Sequence, residues 1–160
     1  MRIYPSHLSR VAMEPQSEDF RVIDVDADRG QGVMVLRSFR EGEVLFRMNG
    51  RLTKELTLHS LQLAPDLHLD DPYVAGKVLH SCAPNSRLDV STREFIAERD
   101  IEYGELLTMD YECTEDVLYR PFWCRCGEAG CRGEIVGRLF SEASRQNGTS
   151  VPGSELLASE

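Results

Sequence analysis

Residues 121–137 read PFWCRCGEAGCRGEIVG and place Cys124, Cys126 and Cys131 within one short stretch. Glycines at 127, 130 and 133 let the backbone turn tightly enough for three thiolates to converge on one ion at about 2.3 Å. Closely spaced thiolates embedded in turns are how structural zinc sites are built, so the stretch reads as a zinc knuckle. Three thiols leave a tetrahedral ion one ligand short. Cys82, Cys113 or a histidine must supply the fourth.

The rest of the chain bounds what surrounds that knuckle. Its 160 residues suit a single domain, able to bury roughly two-thirds of its unfolded surface without staples. With 41% hydrophobic and 28% charged residues, the class is an ordinary globular one. No apolar run approaches the roughly 20 residues of a membrane span, and the opening stretch lacks the apolar core of a signal peptide. A reducing, intracellular location is therefore expected, with no membrane partner; there cysteines serve as metal ligands or in chemistry rather than in disulfides. A net charge of −9 provides no basic stripe to displace counterions from phosphates, so no direct nucleic-acid partner is expected. A basic peptide suits the surface better.

Outward from the knuckle the chain reads as mostly β. Residues 1–19 are an aperiodic lead-in. FRVIDVDA, from Phe20, alternates as a half-buried strand does; DRGQG breaks it, and VMVLRSF, the turn REGE and VLFRM follow. TLHSLQLAPDLHLDDP makes two short alternating pieces around Ala64-Pro65, closed by Pro72. HSCAPNSRLDV, REFIAERDI and ELLTMDYEC continue in short strands. Only TEDVLYR, with Thr114 as its cap, and SEASRQ read as brief helices. The organisation expected is a lead-in over 1–19, a main domain over 20–121, the zinc segment over 122–140 and a polar, Gly/Ser/Pro-punctuated tail over 141–160.

Taken in order, DRGQGVMVLRSFREGEVL, HSCAPN, GELLTMDY and FWCRCGEAGCRGEIVG resemble a SET-domain protein lysine methyltransferase with its post-SET zinc segment. The resemblance runs from about Phe20 to Phe140. It implies a mostly-β, β-clip-like SET fold of short strands with a pseudoknot and a C-terminal zinc knuckle. It implies S-adenosylmethionine as methyl donor, a Zn²⁺ ion, and a lysine-containing protein or peptide, histones included, as acceptor; a small-molecule amine as acceptor and a non-catalytic zinc module are the alternatives.

Carried onto this sequence, the resemblance makes Gly30 and Gly32 the GxG loop whose backbone approaches the cofactor. His80 becomes the residue whose main chain pairs with the adenine edge, and Asn85 the residue that knots its segment against the one containing the tyrosine. Tyr111 becomes the catalytic tyrosine. The Asn that precedes the histidine in the family is here Leu79, which offers no amide. Cys82 joins Cys124, Cys126 and Cys131 as zinc ligands, leaving Cys113 spare. Met109 and Leu88 stand where the family carries channel hydroxyls, which implies a roomy channel permitting di- or trimethylation. Phe122 and Trp123 are expected near the channel or cofactor, and Ile135 with Val136 against the adenine.

Overall fold

The computed structural model describes residues 1–141. The alternating FRVIDVD forms β1 (Phe20–Asp26), which pairs antiparallel with β2 (Gly30–Val35), Phe20 opposite Val35 and Asp26 opposite Gly30. The Asp26 carboxylate closes the turn by accepting from the amides of Asp28 and Arg29 at 3.1 and 2.7 Å. Gly30 completes it at φ +70°, a conformation cheap only for glycine.

In chain order there follow β3 (Val44–Arg47), β4 (Arg51–Thr53), β5 (Ser60–Ala64), β6 (Leu67–Asp70), β7 (Leu79–His80), β8 (Ser86–Asp89), β9 (Glu94–Ala97), β10 (Thr108–Met109), β11 (Phe122–Trp123) and β12 (Glu134–Ile135). They form small sheets: β3-β9-β8, β4-β6-β5, and the pairs β7 with β10 and β11 with β12. Within the two three-stranded sheets every pairing is antiparallel; β7 and β10 alone among the named pairs run parallel. These bounds follow the alternating segments read from the sequence, shortened wherever a run entered a turn.

The sheets close around one core. Phe46 stacks on Phe95 with ring centroids 4.8 Å apart and Phe20 on Phe39 at 5.4 Å, all four rings being buried. Each such pair adds about 1 kcal/mol beyond the area it buries. The lead-in is ordered: Tyr4 is buried and its hydroxyl donates to Asp71 at 2.6 Å while accepting from the Asn49 amide. Asp71 in turn accepts from the amides of Tyr73, Val74 and Ala75, fixing the 3₁₀ turn at Ala75–Lys77. That turn forms one wall of the site described below.

One expected element is absent. TEDVLYR forms no helix; a 3₁₀ turn comes earlier, at Tyr111–Cys113, capped by Asp110, which accepts from the Glu112 amide, and not by Thr114. The cause is tertiary. Glu115 and Asp116 are drawn to β5, where Glu115 accepts from the Gln62 amide, and Asp116 exchanges hydrogen bonds with the Gln62 side chain. Residues 138–141 are helical, so the helix expected in SEASRQ is described only at Ser141; its remainder and the tail from 142 lie outside the described residues.

Candidate active site

Two segments remote in sequence run side by side at the centre of the site. Thr108 lies opposite Leu79 and Met109 opposite His80, and the Ser81 amide donates to the Met109 carbonyl at 3.0 Å. The Asn85 side chain ties the crossing: its Nδ2 donates to the Leu106 carbonyl and its Oδ1 accepts from the Thr108 amide, both at 2.9 Å. Ser86 Oγ adds a bond to the Thr108 carbonyl at 2.8 Å. Asn85 is buried, so these bonds are shielded from water and their loss would orphan two backbone groups. Its amide is spent on the knot.

The crossing delivers Tyr111 to a defined place. Its amide donates to His80 Nδ1 at 3.1 Å, and its phenol donates to the Val78 carbonyl at 2.7 Å. Because the amide is the donor, Nδ1 of His80 is an acceptor and the ring is neutral. Burial holds its pKa down at about 4, with Asp110 opposing and Arg132 reinforcing. Burial pushes the Tyr111 phenol well above its ordinary value, the Glu115 charge adding to the shift. The phenol is thus a neutral donor. His80, Tyr111 and Phe122 meet edge to face, with centroids 5.2 to 5.9 Å apart.

These rings wall a cavity of about 610 Å³, together with Leu79, Met109 and Trp123. A second hollow, of about 200 Å³, lies against Asn85, Thr108 and Leu106. The two share Arg29, Leu79, His80 and Cys126 as a common wall. Gly30 borders the larger one, and a side chain there would meet open space. Gly32 differs: a Cβ would sit 3.0 to 3.3 Å from Val25, Leu79 and Leu106. What requires glycine at 32 is this close packing against Leu79, the residue standing in place of the family's Asn.

The thiols of Cys82, Cys124, Cys126 and Cys131 all lie within 4.8 Å of one another, and the sulfurs of Cys82 and Cys124 are 3.8 Å apart. Zn–S bonds of about 2.3 Å in a tetrahedron require sulfurs about 3.8 Å apart, so the set fits zinc. Cys113 is not in the group. Since Cys82 lies two residues from His80, an ion here would pin β11 and β12 to the segment that holds Tyr111.

Not every expected residue reaches the cavities. Leu88 is buried opposite Phe95 on the inward face of β8, and Ile135 is buried on β12 opposite Phe122; neither lines either hollow. The alternation that turns Ser86 inward turns Leu88 into the core as well. Met109 does border the larger cavity, and Trp123 stands at its mouth, 62% exposed. His59 also borders it.

Two contributors were not legible beforehand. Arg132, flanked by cysteine and glycine, carries no local signal of a role, yet its guanidinium holds both oxygens of Asp110. Glu115 read as part of a helix's first turn and is instead buried beside the larger cavity. Only the departure of 114–120 from helical geometry reveals it.

No family model matches the chain. The Aspergillus flavus protein named methyltransferase flvH is 37% identical over 90 residues, 55% of this chain and 51% of that protein. Histone-lysine N-methyltransferase ash1 of Drosophila melanogaster is 30% identical over 157 residues, covering 82% of this chain and 7% of its own length. The Schizosaccharomyces pombe histone-lysine N-methyltransferase, H3 lysine-4 specific, is 40% identical over 68 residues, 39% of this chain and 7% of that protein. The chain thus spans about half of the first relative and a small part of the other two. Among solved structures, KRYPTONITE in complex with mCHG DNA and SAH has a TM-score of 0.58 at 20% identity, over 79% of this chain and 30% of that one. At such identity the likeness shows the fold, which is the one that the ordered motifs imply.

Proposed function

The chain belongs to the SET-domain family, and on that premise we propose that it is an S-adenosylmethionine-dependent methyltransferase acting on a lysine side-chain amine of a protein. The carrying observation is the shared wall of the two hollows. Methyl transfer needs a donor and an acceptor that meet in line, and ligands in the two hollows would meet at Leu79 and His80, beside Tyr111. When bound, the cofactor supplies a methyl group on a positive sulfonium. Arg29, Leu79 and the His80 main chain, on the wall common to both hollows, are the residues that would hold it.

This chain's own residues orient and desolvate. Holding amine and methyl in line supplies several kcal/mol of barrier lowering, on the order of 7 where alignment is complete. The Tyr111 phenol, neutral and anchored on the Val78 carbonyl, positions the nitrogen without adding a charge. Met109, Phe122 and the His80 ring exclude water. A lysine amine of reference pKa near 10.4 must lose its proton before attack, and desolvation favours the neutral form. Cys82, Cys124, Cys126 and Cys131 would hold one structural zinc. Action inside the cell follows from a histone-type acceptor; no helix among the described residues is long and apolar enough to cross a membrane.

One observation favours keeping a small amine as second reading: the Aspergillus flavus relative is named a methyltransferase, with no histone in its name. Both acceptors are tested by incubating the protein with labelled methyl donor and either core histones or a panel of alkyl diamines. Label on histone lysines, lost in Tyr111→Phe, is the expected result. Label on diamines alone would favour the second reading, and label on neither, with cofactor bound, would overturn both.

A further inference from the structure

Glu115 is buried, yet it borders the larger cavity together with Tyr111. Its carboxylate accepts from the Gln62 amide at 3.1 and 2.9 Å through its two oxygens. That tie needs only an acceptor, which a glutamine would supply without the cost of burying an ionisable group. The cation that acts on Glu115 is Arg138, and its guanidinium is engaged by Asp116. Asp116 and the Tyr111 phenol complete the polar groups facing it. A buried acid with its nearby cation taken is a standing demand for a positive ligand.

The remainder of the cavity says what carries that charge. Leu58, Val117, Tyr119 and Trp123 are exposed large apolar residues, and all four line its rim. Inside lie Met109, Phe122 and Tyr111. An apolar mouth and aromatic walls above an acid fit an aliphatic stem ending in an ammonium.

We propose that Glu115 is the acceptor-recognition residue of this cavity, its carboxylate selecting an ammonium on an aliphatic stem. The inference rests on the methyltransferase reading for its biological acceptor, and it extends that reading by naming the group that distinguishes an amine from a neutral side chain of the same shape. Burial pushes Glu115 up to about 8, so at pH 8.5 its carboxylate is largely ionised and open to an arriving ammonium.

The test measures binding at pH 8.5 by NMR titration, with Nα-acetyl-lysine methylamide and its norleucine counterpart as probes. The wild-type chain is expected to prefer the lysine probe at least tenfold, and Glu115→Gln, which keeps the acceptor for Gln62, to bring the two within twofold. Affinity for S-adenosylhomocysteine should stay within twofold in the variant. A tenfold preference retained by Glu115→Gln overturns the proposal, and so does the absence of any preference in the wild-type chain, a result that does not depend on the variant folding. Histone labelling is scored separately: a lysine preference that depends on Glu115 without methyl transfer would overturn the methyltransferase reading and leave this one standing.

Discussion

Arg132 holds both carboxylate oxygens of Asp110, at 2.9 and 2.6 Å, while its own backbone amide reaches Cys82 Sγ at 3.4 Å. One residue therefore touches a zinc-type thiol and grips the cap of the turn that begins at Tyr111. A lysine at 132 keeps the charge but loses the two-pronged geometry. Arg132→Lys is expected to lower stability by about 1–3 kcal/mol, the range for a charge-assisted bond that is partly shielded. It should also lower kcat of methyl transfer tenfold or more with KM little changed. Steady-state kinetics with zinc content measured in parallel check this; unchanged kcat would refute the coupling.

The four clustered thiols predict one zinc per chain, measurable by atomic emission. Cys82→Ser should lose the metal and lower the Tm, because binding to a folded site is folding energy. Cys113→Ser should keep full occupancy, since its thiol lies outside the cluster. The reverse pattern would detach the knuckle from the Tyr111 segment.

Tyr111→Phe removes a phenol and leaves the Val78 carbonyl without its donor, a loss of about 1–3 kcal/mol. Methyl transfer should fall at least a hundredfold while S-adenosylhomocysteine affinity holds. A calorimetric titration beside the rate assay separates the two effects.

Gly32→Ala puts a methyl 3.0 Å from Val25 Cγ2 and 3.1 Å from Leu79 Cδ1. Those side-chain atoms must yield by a few tenths of an ångström, and Leu79 shifts at the wall common to both hollows. Cofactor affinity should drop severalfold. Combining it with Leu79→Ala should recover part of the loss, as a double-mutant cycle on cofactor binding would show.

Glu115 sets a pH dependence of stability. Its folded pKa of about 8 lies above the ordinary carboxyl value of 4.5, so between those values the folded state binds the extra proton. That contribution is fully present below about pH 4.5 and is lost as pH rises towards 8. Glu115→Gln removes it. Thermal denaturation at pH 5 and pH 8 should show a smaller fall in Tm for the variant than for the wild type, so the group that recognises the acceptor is one that the fold would be more stable without. Equal falls would contradict the burial of an ionisable acid at this site.

What lay within a few residues was readable in advance. The alternation of FRVIDVD, the turn at Asp26–Gly30, the paired pieces around Ala64-Pro65 and the spacing of Cys124, Cys126 and Cys131 follow from local backbone geometry, which the sequence determines by itself. The order of the motifs carried the family and drew Cys82 to the knuckle.

Tertiary structure decided the rest. Arg132 meets Asp110 across 22 residues and Gln62 meets Glu115 across 53, and no local signal distinguishes such pairs from solvated charges. Glu115 bears on both questions at once: helix propensity favoured a capped helix over 114–120, but a shielded bond to the Gln62 amide unwound it and turned the acid towards the cavity. Leu88 went the other way, into the core, because its strand pairs with β9 and so faces Phe95. Periodicity says which residues share a face; only the packed topology says whether that face looks onto the core or onto a ligand.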